Sequence, residues 1–286
     1  MKNLKKILAL LLALSMLLCL SACGSFEKKM AKSAAKMGQL KSMHMDADFT
    51  LDTDIGIMGQ SVNMDTTLKA GIDLNTEPFA MKMDLTVAAM GTEENAQVYV
   101  VDEGGQRIAY TSDDGGKTWE RGEVDDFELG ARDININGTL ALISEWAESF
   151  EAAGEEKIGG STATKYSGNI DSASLVKLMI SSGANEMLES SLGVDLDDDA
   201  AAALSDVPVS IWIDNKSGMI VRIDMELTEL MQSMVSSIIA EVLEDALEDS
   251  GLGDLPLEIK VNSAIESIKF SQFDAVGTIE PPAGVK

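Results

Sequence analysis

Histidine and cysteine are almost missing from this chain of 286 residues: one histidine, His44, and two cysteines, Cys19 and Cys23. A zinc centre built on several imidazoles is excluded, a histidine-based triad is argued against, and no thiol is left for a disulfide beyond residue 23. Basic residues are scarce too. Lys+Arg number 22 against 48 Asp+Glu, a formal net charge of −26. No Lys/Arg cluster of the kind a phosphate backbone requires stands out, which excludes nucleic acid as a partner. Aromatic residues make up 5%, too few for a sugar-stacking platform. What is present is a globular composition, 45% hydrophobic and 24% charged, with 17 methionines. The expectation is a non-enzymatic binding protein that needs no cofactor.

The amino terminus carries Lys2, Lys5 and Lys6 and then an apolar run from Ile7 to Leu20. A basic start followed by about 14 apolar residues reads as a secretory signal, since a membrane-spanning helix needs about 20. The run ends in Leu20-Ser21-Ala22-Cys23, which resembles the lipobox of bacterial lipoprotein precursors. That resemblance implies lipidation of the Cys23 thiol, a membrane partner reached through a diacylglyceryl cysteine, and residence on the outer face of the bacterial cytoplasmic membrane. Loss of residues 1–22 removes three lysines and no acid, so −26 becomes −29. Such a charge repels an anionic bilayer, which leaves attachment to the lipid. The expected division is a signal over 1–22, a lipidated tether over 23–28 and a single domain over 29–282.

A helix is predicted over Phe26 to Met43 from the spacing of Met30, Ala34, Met37 and Leu40. The period then changes to two. Met45, Ala47, Phe49, Leu51 and Ile55 alternate with Asp46, Asp48, Thr50, Asp52 and Asp54, and two further alternating runs cover Val62–Leu74 and Phe79–Val87. Such runs predict long antiparallel strands with one dry and one wet face. Strands at Gln97–Val101 and Arg107–Thr111 flank Gly104-Gly105. A helix is read over Thr139 to Ala152, ended by Gly154, then an extended Thr162–Ile170 and an N-cap at Asp171. Strands Val207–Asp214 and Met219–Leu227 lead into a long amphipathic helix, Thr228 to Asp249, and final strands follow at Leu257–Val261 and Ile265–Phe273. The order predicts an α+β fold, a strongly bent antiparallel sheet wrapped around helices.

Lys41-Ser42-Met43-His44 opens the first strand, Gly116-Lys117-Thr118-Trp119 closes a hairpin, Gly160 to Gly168 forms a mid-chain strand, Pro208 to Arg222 forms a hairpin, and Phe270 to Pro282 closes the chain. Together they resemble the LolA-like half-barrel superfamily, in particular its LppX/LprG-type lipoproteins. The resemblance implies a bent sheet enclosing an apolar cavity for acyl chains, and thus a lipid or other apolar small molecule as ligand. The long helix at about 228–249 departs from the pattern, as lid or as plug. The candidate lining is Met45, Phe49, Met64, Leu68, Met81, Met83, Leu85, Met231, Val235 and Ile238, because flexible thioethers suit adaptable apolar surfaces. A second reading is a structural or interaction lipoprotein, its cavity filled by its own helix, whose acidic outer face binds a protein not identified by the sequence.

Three further motifs have the look of sites. Ser112 to Trp119 fits an Asp-box, but it occurs once in a chain poor in arginine, which favours a structural hairpin. Asp195, Asp197 and Asp199 have the 1-3-5 spacing of a calcium loop, but Ala200 stands where the sharp-turn glycine belongs and no Glu is at position 12, so a solvated helix end is preferred. Asp245, Glu248, Asp249 and Asp254 read as a solvated face. His44, on a polar strand face, is expected to be exposed.

Overall fold

Alternation of apolar and polar residues along Met43–Ile55, Val62–Leu74 and Phe79–Val87 builds three strands longer than usual. In the computed structural model, which describes residues 23–57, 60–123, 149–175, 205–235, 257–282 and 285, they are β1 (Ser42–Ile57), β2 (Gln60–Thr76) and β3 (Phe79–Ala89). At about 3.3 Å per residue, β1 and β2 each reach roughly 50 Å. Helix α1 (Cys23–Met37) precedes them. β4 (Thr92–Glu103), β5 (Gln106–Ser112) and β6 (Glu120–Glu123) continue the meander. The second half holds β7 (Glu151–Ile158), β8 (Ser161–Ile170), β9 (Val207–Asp214), β10 (Ile220–Glu226), α2 (Thr228–Met234) and β11 (Leu257–Ser271).

All eleven strands form one sheet in the order β6-β5-β4-β3-β2-β1-β11-β10-β9-β8-β7. Every pairing is antiparallel, and the sheet is curved and open, the half-barrel that the pattern resembles. The two halves of the chain meet at the β1–β11 seam. Its outer edges are blunted in the usual ways: β6 is four residues long and charged, and β7 carries four ionisable side chains and an irregular register at Gly154.

α1 covers the dry face at one end of the sheet. Phe26, Met30, Ser33 and Met37 fall at helical spacing and are all buried. They pack with Met43, Leu74, Met81, Val98, Val100, Ile211, Ile220 and Ile223 into the main core. Phe26 lies between two rings, stacked on Phe150 at 4.9 Å and tilted on Tyr166 at 4.7 Å. Gly168 makes this possible, since a Cβ there would stand 2.8 Å from the Phe150 ring. A smaller cluster of Ala80, Val101, Ile108 and Tyr110 is covered by Tyr99, Trp119 and Ile279.

Three expectations are corrected. The helix begins at Cys23 and ends at Met37, with Phe26 fully buried, and Ser42 already belongs to β1, because the period-two pattern begins at Met43. Glu151 and Ala152 belong to β7 instead of a helix, and Gly154, with φ of 122°, sits inside that strand where its register shifts. The carboxy-terminal pair of strands is one strand, β11. Its pairing with β1 shifts register between Asp52 and Thr53, leaving Asn262 without a Cα partner. The Asn262 amide instead donates to Asp52 and Asp54, at 3.1 and 2.9 Å. The helix expected over Thr228–Asp249 is described only for Thr228–Met234; the rest lies outside the described residues, as do most of the helix expected at Thr139–Ala152, the lipobox residues Leu20, Ser21 and Ala22, Ile238, and Asp195, Asp197 and Asp199.

Candidate functional site

Side chains paired across antiparallel strands share a face, so the register fixes which residues line the dry side. One row joins Met81, Leu74 and Met43, and the next joins Met83, Ile72, Met45 and Phe270. The third holds Leu85, Ala70, Ala47, Ile268, Ile223 and Ile211. The fourth runs Val87, Leu68, Phe49, Glu266, Met225 and Val209. Met64 lies two rows further, opposite Thr53.

Burial falls off along these rows. Met81 and Met45 are buried at 3% and 9% exposure and belong to the packed end under α1. Met83, Leu85, Leu68, Phe49 and Met64 are half-buried, a continuous apolar surface on β1, β2 and β3 that extends past the core. Met231 and Val235 at the α2 end are also half-buried. The structure thus puts Phe49, Leu68, Met83 and Leu85 in adjacent rows of one face.

α2 is strapped to β11 where β10 stops. Leu227 N–H donates to Ala264 O at 2.7 Å, Ala264 N–H donates to Thr228 Oγ1 at 2.9 Å, and Val261 N–H donates to Gln232 Oε1 at 2.7 Å. Gln232 Nε2 donates in return to Ile259 O at 3.3 Å. The Gln232 amide replaces the missing strand neighbour, satisfying backbone groups that would otherwise be unpaired. Leu230 is buried in the main core beside it. A polar residue on an amphipathic helix gives no sign of this role in the sequence.

Glu266 was also missed. It lies opposite Phe49 on β1 and Met225 on β10, on the apolar face, with no hydrogen-bond or ion-pair partner among the described residues. Burial pushes its carboxyl above the ordinary carboxylate range. The signal was parity: Ile268 and Phe270 put Glu266 on the dry side and Ile265 outside, where it is 41% exposed.

The wet face disposes of its acids by hydrogen bonding. Asn63 Nδ2 donates to Asp52 and Asp54, at 2.6 and 3.0 Å, and together with Asn262 holds the Asp54 carboxyl below its usual range. His44, expected to be exposed, is held between Asp73 at 2.7 Å and Asp46 at 3.2 Å. Burial works to lower its pKa, and the two carboxylates outweigh that and raise it. In the Asp-box turn, Asp114 accepts from Thr118 N–H and Oγ1, Ser112 Oγ and Lys117 N–H, which holds its carboxyl far below the usual range. Trp119 Nε1 donates to Gly116 O at 3.1 Å, as a structural hairpin requires.

A cleft of about 460 Å³ opens between α1 and β7–β9, lined among others by Lys29, Lys32, Ser33, Lys36, Asp214 and Asn215. Its polar groups are largely engaged. Lys29 donates to the Tyr166 hydroxyl, Lys36 to Ser217 O, and Ser33 to Gly218 O, while Asp214 accepts from Ser161, Lys216 and Ser217. With lysines on its wall it offers an acyl chain no dry surface. Among the described residues no group of three or more His, Cys, Asp or Glu side chains is placed to hold a metal ion, and no helix is long and apolar enough to cross a membrane.

Residues 25–133 match the model of a family described as of unknown function, DUF6612. No curated protein matches in sequence. The chain is similar in structure to the lipoprotein LppX of Mycobacterium tuberculosis, at 16% identity and a TM-score of 0.44, covering 90% of this chain and 99% of that one. It is similar also to LprF of Mycobacterium bovis, at 12% identity and a TM-score of 0.43, covering 91% and 98%.

Proposed function

We propose that this protein is a lipid-anchored, extracytoplasmic lipoprotein that binds a lipid or another apolar ligand on the dry face of its half-barrel, without catalysis. The observation that carries this reading is the apolar surface of Phe49, Leu68, Met83 and Leu85, which runs on beyond the packed core in adjacent rows of β1–β3. Apolar area left beyond the core is area an acyl chain can cover, at roughly 25 cal/mol per Å² removed from water. Cys23 supplies the anchor, through the lipobox pattern Leu20-Ser21-Ala22-Cys23, and places the sheet on the outer face of the cytoplasmic membrane.

The docking of α2 on β11 favours the second reading, a scaffold closed by its own helix that meets a protein partner through its acidic outer face. Native mass spectrometry of the purified protein separates the two. A co-purifying lipid adds a discrete mass, and its displacement by detergent leaves the fold intact. A ligand-free mass that gains nothing on incubation with phospholipid or fatty acid overturns ligand carriage.

A further inference from the structure

The fourth row of the dry face is apolar on both sides of Glu266, from Val87, Leu68 and Phe49 to Met225 and Val209; the row's other acid, Glu94 beyond Val87 on β4, is exposed. We infer that Glu266 is the head-group anchor of the ligand site, and that the site takes an amphiphile whose polar end is a protonated amine. The inference rests on the apolar-ligand reading and adds the chemistry of the ligand's polar end.

Three observations support it. Glu266 of β11 projects from the same face as Phe49 and Met225, where an acyl chain would lie, and not from the wet face that carries the acids of β1. It lacks a cation or hydrogen-bond donor among the described residues, whereas the nearest acids on the opposite face, Asp224 and Asp48, have Arg222 at 2.7 Å and Lys269 at 3.6 Å. The half-buried, apolar row around it weakens its contact with water, and a ligand ammonium would give it an ion-pair partner. The third is the field of the whole chain. A net charge of −26 draws a cationic amphiphile in and repels an anionic one. The alternative of a neutral acid donating to a carboxylate or phosphate head group works against that field.

The test uses the full-length protein in bilayer vesicles and three photoreactive probes with a diazirine in a dodecyl chain, ending in an amine, an alcohol or a carboxylate. Labelled peptides are mapped by mass spectrometry and normalised to probe in the bilayer. The amine is expected to label β1, β2 and β11 about tenfold more than the alcohol, and the carboxylate least, which corresponds to the coupling of one partly desolvated charge pair. Glu266→Gln should bring amine and alcohol to equal labelling of these strands. Equal labelling by amine and alcohol in the wild type overturns the inference, as does an amine preference that survives Glu266→Gln, which would trace to the acidic surface at large. Failure of the alcohol to label these strands at all counts against the apolar-ligand reading itself, so the two failures are distinguishable.

Discussion

Phe26 of α1 stacks on Phe150 with ring centroids 4.9 Å apart and planes 17° from parallel, and this contact ties the helix to the far half of the sheet. Both rings are fully buried. Phe26→Ala empties a site between Phe150 and Tyr166 and is expected to cost about 3–5 kcal/mol. Urea denaturation followed by circular dichroism checks it. A loss under about 1 kcal/mol would show that α1 is dispensable for the core.

Gln232 joins α2 to the edge of β11 through two backbone groups, Val261 N–H and Ile259 C=O. Gln232→Ala leaves both without that partner and should destabilise by about 1–3 kcal/mol. The loss should be local, so amide exchange at Val261 accelerates more than exchange in β2 or β3. Uniform acceleration across the sheet would contradict the strap.

The raised pKa of Glu266 makes stability depend on pH with a definite sign. A carboxyl whose folded pKa stands above its unfolded value holds its proton more tightly in the folded state. Its contribution is fully present below the unfolded pKa and is lost as pH rises through the folded one. Glu266→Gln should therefore melt with the wild type in acid and above it at neutral pH. A variant less stable than wild type at neutral pH would mean that the carboxylate is already paired.

Cys23→Ala tests the anchor. The variant should appear in the medium or accumulate unprocessed, read by fractionation and by the mass of the amino-terminal peptide. Recovery of a processed protein in the membrane fraction would sink the lipobox reading.

Much of the sheet was legible because β1, β2 and β3 have one solvated face each, and alternation records that directly. The hairpin at Gly104-Gly105 was legible for the same reason. Phe150 misled, because the helix read over Thr139 to Ala152 took it in, while its ring packs over Gly168 of β8 and the chain enters β7 at Glu151. Asn262-Ser263 looked like a break between strands, since nothing in the local pattern reveals that Asp52 and Asp54, more than 200 residues earlier, bind the asparagine amide. Glu266 was hidden by its neighbour: Ile265 suggests the wrong parity, although Ile268 and Phe270 further along give the right one, which the pairing with Phe49 bears out. For Phe150 and Asn262 the missing information was a partner elsewhere in the chain.

The seam between β1 and β11 also sets a timetable for the newly made chain. Among themselves β1 to β6 pair only with sequence neighbours, so that half is able to zip up by local hairpins as it emerges. The joint that unites the halves must wait for almost the last segment to arrive, and closing so large a loop is entropically slow. Until then the free side of β1, sixteen residues long, stands open as an unpaired template. The aspartates spaced along it, Asp46, Asp48, Asp52 and Asp54, repel the same strand of a neighbouring molecule during that interval and so guard the chain against joining another copy of itself.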